Sequence, residues 1–270
     1  MTKRGLFLPP FDAIADPGIV ADVAVEAEEA GWDGGFVWDH LLYAEPVRAI
    51  ADPWICCAAI AARTSRILFG PMVTPLSRRR PQVVARQAVS LDRLSGGRLV
   101  LGFGLGDDGR VRELSRFGEE TDAKTRAAVL DESLGVLRSL LSGEPVDHDG
   151  PHVRAEGVTF LPTPVHPGGI PVWIGGRWPN RAPLRRAVRY EGAFLISVDT
   201  PEDLREARRV LADLRETQGD TMAGFDVVVQ LAPGADVAPW AAAGAGWVLT
   251  QVGPYHLDLA EVRAVVRAGP

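Results

Sequence analysis

Eight short apolar runs alternate with eight helical patterns, the runs carry few charges, and two connections are over-long. Together these predict an α/β fold, a (β/α)8 TIM barrel with insertions at its carboxyl-terminal mouth. Short continuous apolar strands are what a parallel sheet covered by helices requires. A doubly wound open sheet is the competing arrangement, but eight units without a topological switch favour closure. Residues 1–270 are expected to form one domain, with no internal linker.

The elements follow in order. "GLFLPP" (5–10) reads as the first strand. Asp16 then offers a cap, with Pro17 at the first helical position and Val20, Val23, Ala24 and Ala27 at helical spacing. "GFVWD" is the second strand, and Asp52-Pro53 repeats the capping device. "RILFGPMV" is the third strand, followed by a helix opened by Pro81 and closed by Gly96-Gly97. "RLVLGFG" is the fourth, and a long helix from about Asp122 to Leu141 comes after it. "IPVWIGG", "GAFLIS", "FDVVVQL" and "GWVLTQ" supply the rest, with helices near 180–190, 200–216, 237–243 and 257–267. Thr200 and Asp203 have capping-box spacing. Segments 105–121 and 142–169 exceed simple connections. The second is rich in proline and reads as loop or short hairpin.

Bulk properties narrow the function. At 46% hydrophobic and 24% charged residues the chain has the composition of an enzyme with a full core. A net charge of -6 argues against nucleic acid or an anionic membrane as partner. No apolar run approaches the roughly 20 residues of a membrane span, and the run after the basic start is too short for a signal peptide. The two cysteines, Cys56 and Cys57, are neighbours on a helix and point apart, so no disulfide joins them. A cytoplasmic location is expected.

On a barrel, ligand-binding groups sit where strands end. Those ends hold few charges and many glycines, with tryptophans nearby, which suits a large flat ligand with polar edges. Asp39-His40 is the sharpest feature: an acid and an imidazole at one strand end can orient a ring and move a proton. The plainer reading makes Asp39 a turn cap and His40 a backbone-bonded side chain. "GGRWPNR" (175–181) closes a strand and opens a helix, so Gly175, Gly176, Arg177 and Arg181 form a candidate anion site. "SRRRP" (77–81) reads as a solvated charged face. "HDGPH" (148–152) lies in a turn without further ligands, so no metal site is expected. "GFGLG" (102–106) is not the dinucleotide pattern and lacks the following helix.

With these motifs assembled, the chain resembles the luciferase-like family of flavin- and deazaflavin-dependent oxidoreductases. The resemblance rests on "GFVWDH", "GPMVTPLSRRRPQVVARQAVSLDRLSGGRLVLGFGLG", "LDESLGVLRSLLSGEPVDHDG" and "IPVWIGG…GAF". It implies a barrel holding reduced FMN or coenzyme F420 across its mouth. Asp39 and His40 match the acid–histidine pair beside the ring. Pro71, Met72, Val73 and Thr74 match a bulge, often with a cis peptide, that backs it. Gly104, Leu105 and Gly106 match a segment passing close to the cofactor, and Asp107 falls where some deazaflavin members place a catalytic glutamate. Gly175, Gly176 and Arg177 match the phosphate-binding turn. The implied activity is monooxygenation or hydride transfer on a small organic substrate, and the Asp-His pair tilts the cofactor toward F420. A homodimer is expected. The alternative is a barrel that binds the cofactor without turnover.

Overall fold

A computed structural model describes residues 1–109 and 111–270. In chain order the elements begin β1 (Lys3–Leu8), α1 (Pro17–Glu29), β2 (Gly34–Val37), α2 (Pro53–Arg63), β3 (Leu68–Pro71), β4 (Thr74–Pro75), α3 (Pro81–Ser95) and β5 (Leu101–Gly104). They continue α4 (Ala123–Leu141), β6 (Val146–Asp149), β7 (Arg154–Val158), β8 (Val172–Arg177), α5 (Arg181–Ala187) and β9 (Gly192–Ile196). The chain ends α6 (Pro201–Glu216), β10 (Asp226–Leu231), α7 (Ala238–Ala242), β11 (Trp247–Gln251) and α8 (Leu259–Arg267).

The strands pair in parallel as β3-β2-β1-β11-β10-β9-β8-β5-β4. β3 and β4 are two halves of one barrel stave, parted at Met72-Val73, whose peptide bond is cis. The ring closes through this stave: Phe69 N donates to Arg98 O at 3.2 Å and Val100 N to Phe69 O at 2.9 Å. The barrel is therefore the one its sequence predicts, with eight staves in sequential order. Segment 142–169 holds the expected hairpin, β6 paired antiparallel with β7.

Local chemistry explains the helices. Asp16 accepts from the amides of Gly18 and Ile19, and Asp52 from those of Trp54 and Ile55, each with a proline opening the helix. Thr200 and Asp203 form the reciprocal capping box. α5 ends at Ala187, short of the predicted boundary. The motif at 148–152 serves the hairpin: His148 Nε2 lies 2.9 Å from Glu132 Oε1, and Glu132 also accepts from the amides of His152 and Val153.

Inside the ring, Phe36, Trp173 and Trp247 pack with centroids 5.3–5.7 Å apart. Each buried aromatic removes roughly 150–250 Å² from water, on the order of 4 kcal/mol before ordering costs. Phe7 and Phe194 form the next layer, edge to face at 5.4 Å. A second apolar layer lies between sheet and helices. Among the described residues, no helix is long and apolar enough to cross a membrane.

Candidate active site

The last layer of the barrel interior is only partly buried. Trp38 after β2, Val73 between β3 and β4, and Ile196 ending β9 pack onto the inner core from the mouth side. Val73 is seated between two staves because glycines face it. A Cβ on Gly104 would stand 2.6 Å from a Val73 methyl, and one on Gly175 would stand 2.9 Å from the other. Glycine at those two positions thus makes room for the bulge's own side chain. The result is an apolar platform across the strand ends. The Trp38 indole Nε1 is buried there without a hydrogen-bond partner. Such a platform, with an orphaned donor at its edge, fits a planar ring system with polar edges.

Beside it stands a charged network on the chain leaving β2. Asp39 is 3% exposed and accepts from Thr74 Oγ1 at 2.6 Å, which in turn accepts from Trp54 Nε1 at 3.1 Å. Arg78 pairs with the other Asp39 oxygen, and Arg79 lies 3.3 Å from Asp39. Arg78 also reaches Glu113 at 3.1 Å. Glu113 Oε1 accepts from the Leu41 and Leu42 amides, while its Oε2 stands 3.0 Å from His40 Nδ1. Burial alone would push the Glu113 carboxyl up. The His40 hydrogen bond, the Leu41 amide and Arg78 together hold it below the usual range. The His40 ring is packed by Phe11, Trp38 and Tyr43, at 6.2, 6.1 and 5.1 Å between centroids, and its side chain remains 32% exposed. Tyr43 in turn meets Tyr255, from the chain after β11, at 5.8 Å.

The remaining predicted residues lie at the ends of β3, β5 and β8 and in the chain just beyond them. Pro71, Met72 and Thr74 are buried, and Val73 alone of the four is partly exposed. Gly104 is buried, while Leu105 and Gly106 are partly exposed beyond β5. Asp107 is exposed, its carboxylate 3.2 Å from the Gly109 amide in a tight turn. The neighbouring Asp108 caps a short turn through the amides of Leu114 and Ser115. Gly175 and Gly176 are half-buried and Arg177 is exposed at the end of β8. The amides opening α5 are not all bare, because Asn180 Oδ1 accepts from Ala182 N at 3.1 Å. Arg181 is engaged, stacked on Trp178 at 4.8 Å.

Two residues were not anticipated. The "SRRRP" run is no solvated face: a short turn at Leu76–Arg78 aims Arg78 inward, where its side chain is 3% exposed. Glu113 lies in an aperiodic segment 73 residues from its partner, and no spacing rule marks it. One surface hollow, about 400 Å³, lies at the opposite end of the barrel between 188–191 and 215–225. A second, about 320 Å³, flanks Glu132 and His148.

Comparison with known proteins places this geometry. The family model for luciferase-like monooxygenases matches residues 4–244. The F420-dependent glucose-6-phosphate dehydrogenase of Nakamurella multipartita is 34% identical over 67% of this chain and 52% of its own length. The chain spans about half the length of the curated relatives it matches. Among solved structures, an F420-dependent secondary alcohol dehydrogenase, in complex with an F420-acetone adduct, superposes with a TM-score of 0.83. That match covers 100% of this chain and 98% of that one, at 17% identity. Monooxygenase RslO1 from Streptomyces bottropensis gives 0.81 over 98% and 97%, at 20% identity. These two likenesses are of fold. The match over nearly the whole barrel establishes that the chain belongs to the luciferase-like monooxygenase family.

Proposed function

We propose that this chain is an oxidoreductase that binds coenzyme F420, or failing that FMN, across the mouth of its barrel and acts on a small organic substrate. The observation that carries the reading is the partly exposed His40 imidazole, held by the buried Glu113 carboxylate at the rim of the Trp38–Val73–Ile196 platform. The F420 dependence named for relatives at 31–35% identity supports the deazaflavin over FMN.

In this reading Pro71, Met72, Val73 and Thr74 form the wall behind the ring. Gly104, Leu105 and Gly106 flank it, and Gly175, Gly176 and Arg177 receive the phosphate. Bound there, the deazaflavin supplies hydride chemistry, whereas reduced FMN supplies oxygen activation. His40 moves a proton at the substrate's heteroatom. Asp39 holds the wall in place through Thr74, Arg78 and Arg79. Asp107, exposed beyond β5, faces the substrate side. Trp38 and Val73 exclude water from beneath.

The reading takes 1–270 as one domain and the working unit as a homodimer. Ile55 on α2 and Val83 and Leu94 on α3 support the dimer, since all three are more than half exposed on adjacent helices. The small-molecule role requires neither nucleic acid nor membrane as partner. A cytoplasmic location fits two free, buried thiols.

The test is titration with F420 and with FMN, oxidised and reduced, followed by absorbance and fluorescence. Micromolar binding of F420 is expected. Tighter binding of FMN would move the chemistry to monooxygenation, and binding of neither below millimolar concentration ends the proposal. Bound cofactor that no donor or acceptor reduces or reoxidises would leave a binding barrel without turnover.

A further inference from the structure

Glu113 holds His40 at the rim of the platform, and the way it is built into the site says what that hold does. Its side chain is 5% exposed, and its two oxygens face different partners. Oε1 is committed to the Leu41 and Leu42 amides and to Arg78, so the carboxylate cannot turn. Oε2 is left for His40 Nδ1, 3.0 Å away. An ionised carboxylate only accepts hydrogen bonds, so the ring nitrogen opposite it must carry the proton. The charges behind it balance: Asp39 and Glu113 against Arg78 and Arg79. Phe11, Trp38 and Tyr43 fix the plane of the imidazole, so Nδ1 is not free to swing away.

We infer that Glu113 is a positioning residue that locks neutral His40 as its Nδ1–H tautomer and leaves the Nε2 lone pair to accept a substrate proton. The inference rests on the reading of His40 as the proton-moving group. In the oxidising direction the substrate O–H breaks and its proton goes to Nε2. With F420 bound, the C–H electron pair would go as hydride to the oxidised deazaflavin, and the C–O bond would become C=O. An imidazole of the opposite tautomer would present Nε2–H and could not take that proton. Glu113 therefore decides whether His40 serves as base, without touching substrate.

The tautomer is read directly by long-range ¹H–¹⁵N correlation on the cofactor-free, ¹⁵N-labelled protein. The spectrum is taken at about pH 8, where an imidazole is ordinarily neutral, and the His40 signals are assigned by their loss in His40→Ala. The wild type is expected to show the Nδ1–H pattern. In Glu113→Gln the amide oxygen stays on the Leu41 and Leu42 amides, its NH2 faces Nδ1, and the pattern inverts to Nε2–H. With F420 bound, kcat for a turned-over alcohol falls on the order of 10²-fold while KM stays within a factor of about two. A residue that merely braced the loop would leave the tautomer unchanged. An Nε2–H or mixed pattern in the wild type overturns the inference, as does an unchanged pattern in a folded Glu113→Gln. Should that variant not fold, the wild-type spectrum decides alone. Failure of F420 and FMN to bind would sink the proposed function and leave the spectrum standing.

Discussion

The two ends of the barrel hold the same kinds of charge and use them differently. At the amino-terminal end, Arg98 is 8% exposed and donates five hydrogen bonds, to the carbonyls of Ala61, Thr64, Ile67 and Ser95 and to the Thr64 hydroxyl. Nearby, Glu28 accepts from the amides of Ser65, Arg66 and Ile67. Each charge there ends mainly on backbone and braces the turn between α2 and β3. At the mouth, Asp39, Arg78, Arg79 and Glu113 end largely on one another, and one titratable ring is held at their edge. Charges tied to main chain stabilise a turn. Charges tied to one another hold a single reactive group in register with an opening.

That contrast predicts activity losses at one end and stability losses at the other. The largest effect belongs to His40→Ala, which should lower kcat by about 10²–10⁴-fold and leave the cofactor dissociation constant and the unfolding midpoint little changed. A parallel loss of kcat and cofactor affinity would reduce His40 to a binding residue. At the opposite end, Arg98→Met strips the hydrogen bonds from buried carbonyls. It should lower the unfolding free energy by more than about 3 kcal/mol, measured by urea denaturation, without altering kcat of the protein that remains folded. Arg177→Ala comes next: cofactor affinity should weaken about tenfold, roughly the worth of one charge-assisted hydrogen bond, and an unchanged dissociation constant would remove the phosphate from β8.

The smallest expected effect sharpens the bracing half of the comparison. Burial pushes the Glu28 carboxyl up, but the amides of Ile67, Arg66 and Ser65 and the Ser65 hydroxyl outweigh it and bring it down to about 2. A depressed folded value means the contribution is fully present above the unfolded value of about 4.3. It is lost as pH falls from there through about 2. Glu28→Gln should therefore cost about 1 kcal/mol at neutral pH, after discounting for solvent screening. The gap from wild type should close in acid, and a gap that persisted at pH about 2 would show that shape rather than charge holds the turn.

The fold was legible because every rule it uses is local. The Asp-Pro starts at Asp16 and Asp52, the Thr200–Asp203 box and the apolar runs all act within a few residues. The split of the third stave was less so. "RILFGPMV" reads as one run, and the bulge at 71–74 is foreshadowed only by the family resemblance; its physical reason, the space that Gly104 on the adjoining stave and Gly175 on the next leave for Val73, shows in the structure. At the site, Asp39-His40 is legible as a candidate because an acid and an imidazole adjoin at a strand end, and the structure sets both against the Arg78 and Glu113 side chains. Arg78 was misread because a run of arginines says nothing of which one a tight turn will bury. Of the two aspartates after β5 the resemblance singles out Asp107; the structure makes Asp108 a cap and leaves Asp107 exposed, its carboxylate accepting from the Gly109 amide. Glu113 was invisible, since its partner is set by closure of the ring and not by any periodicity.

The pairing of His40 with Glu113 joins a group rooted in the sheet to one carried on an aperiodic excursion between β5 and α4. The scaffold and the proton-handling partner are thereby separable: redesign of 105–121 can retune or abolish the imidazole while every stave keeps its neighbours. New chemistries on this architecture can arise by editing that one excursion, at small risk to the chain's ability to fold.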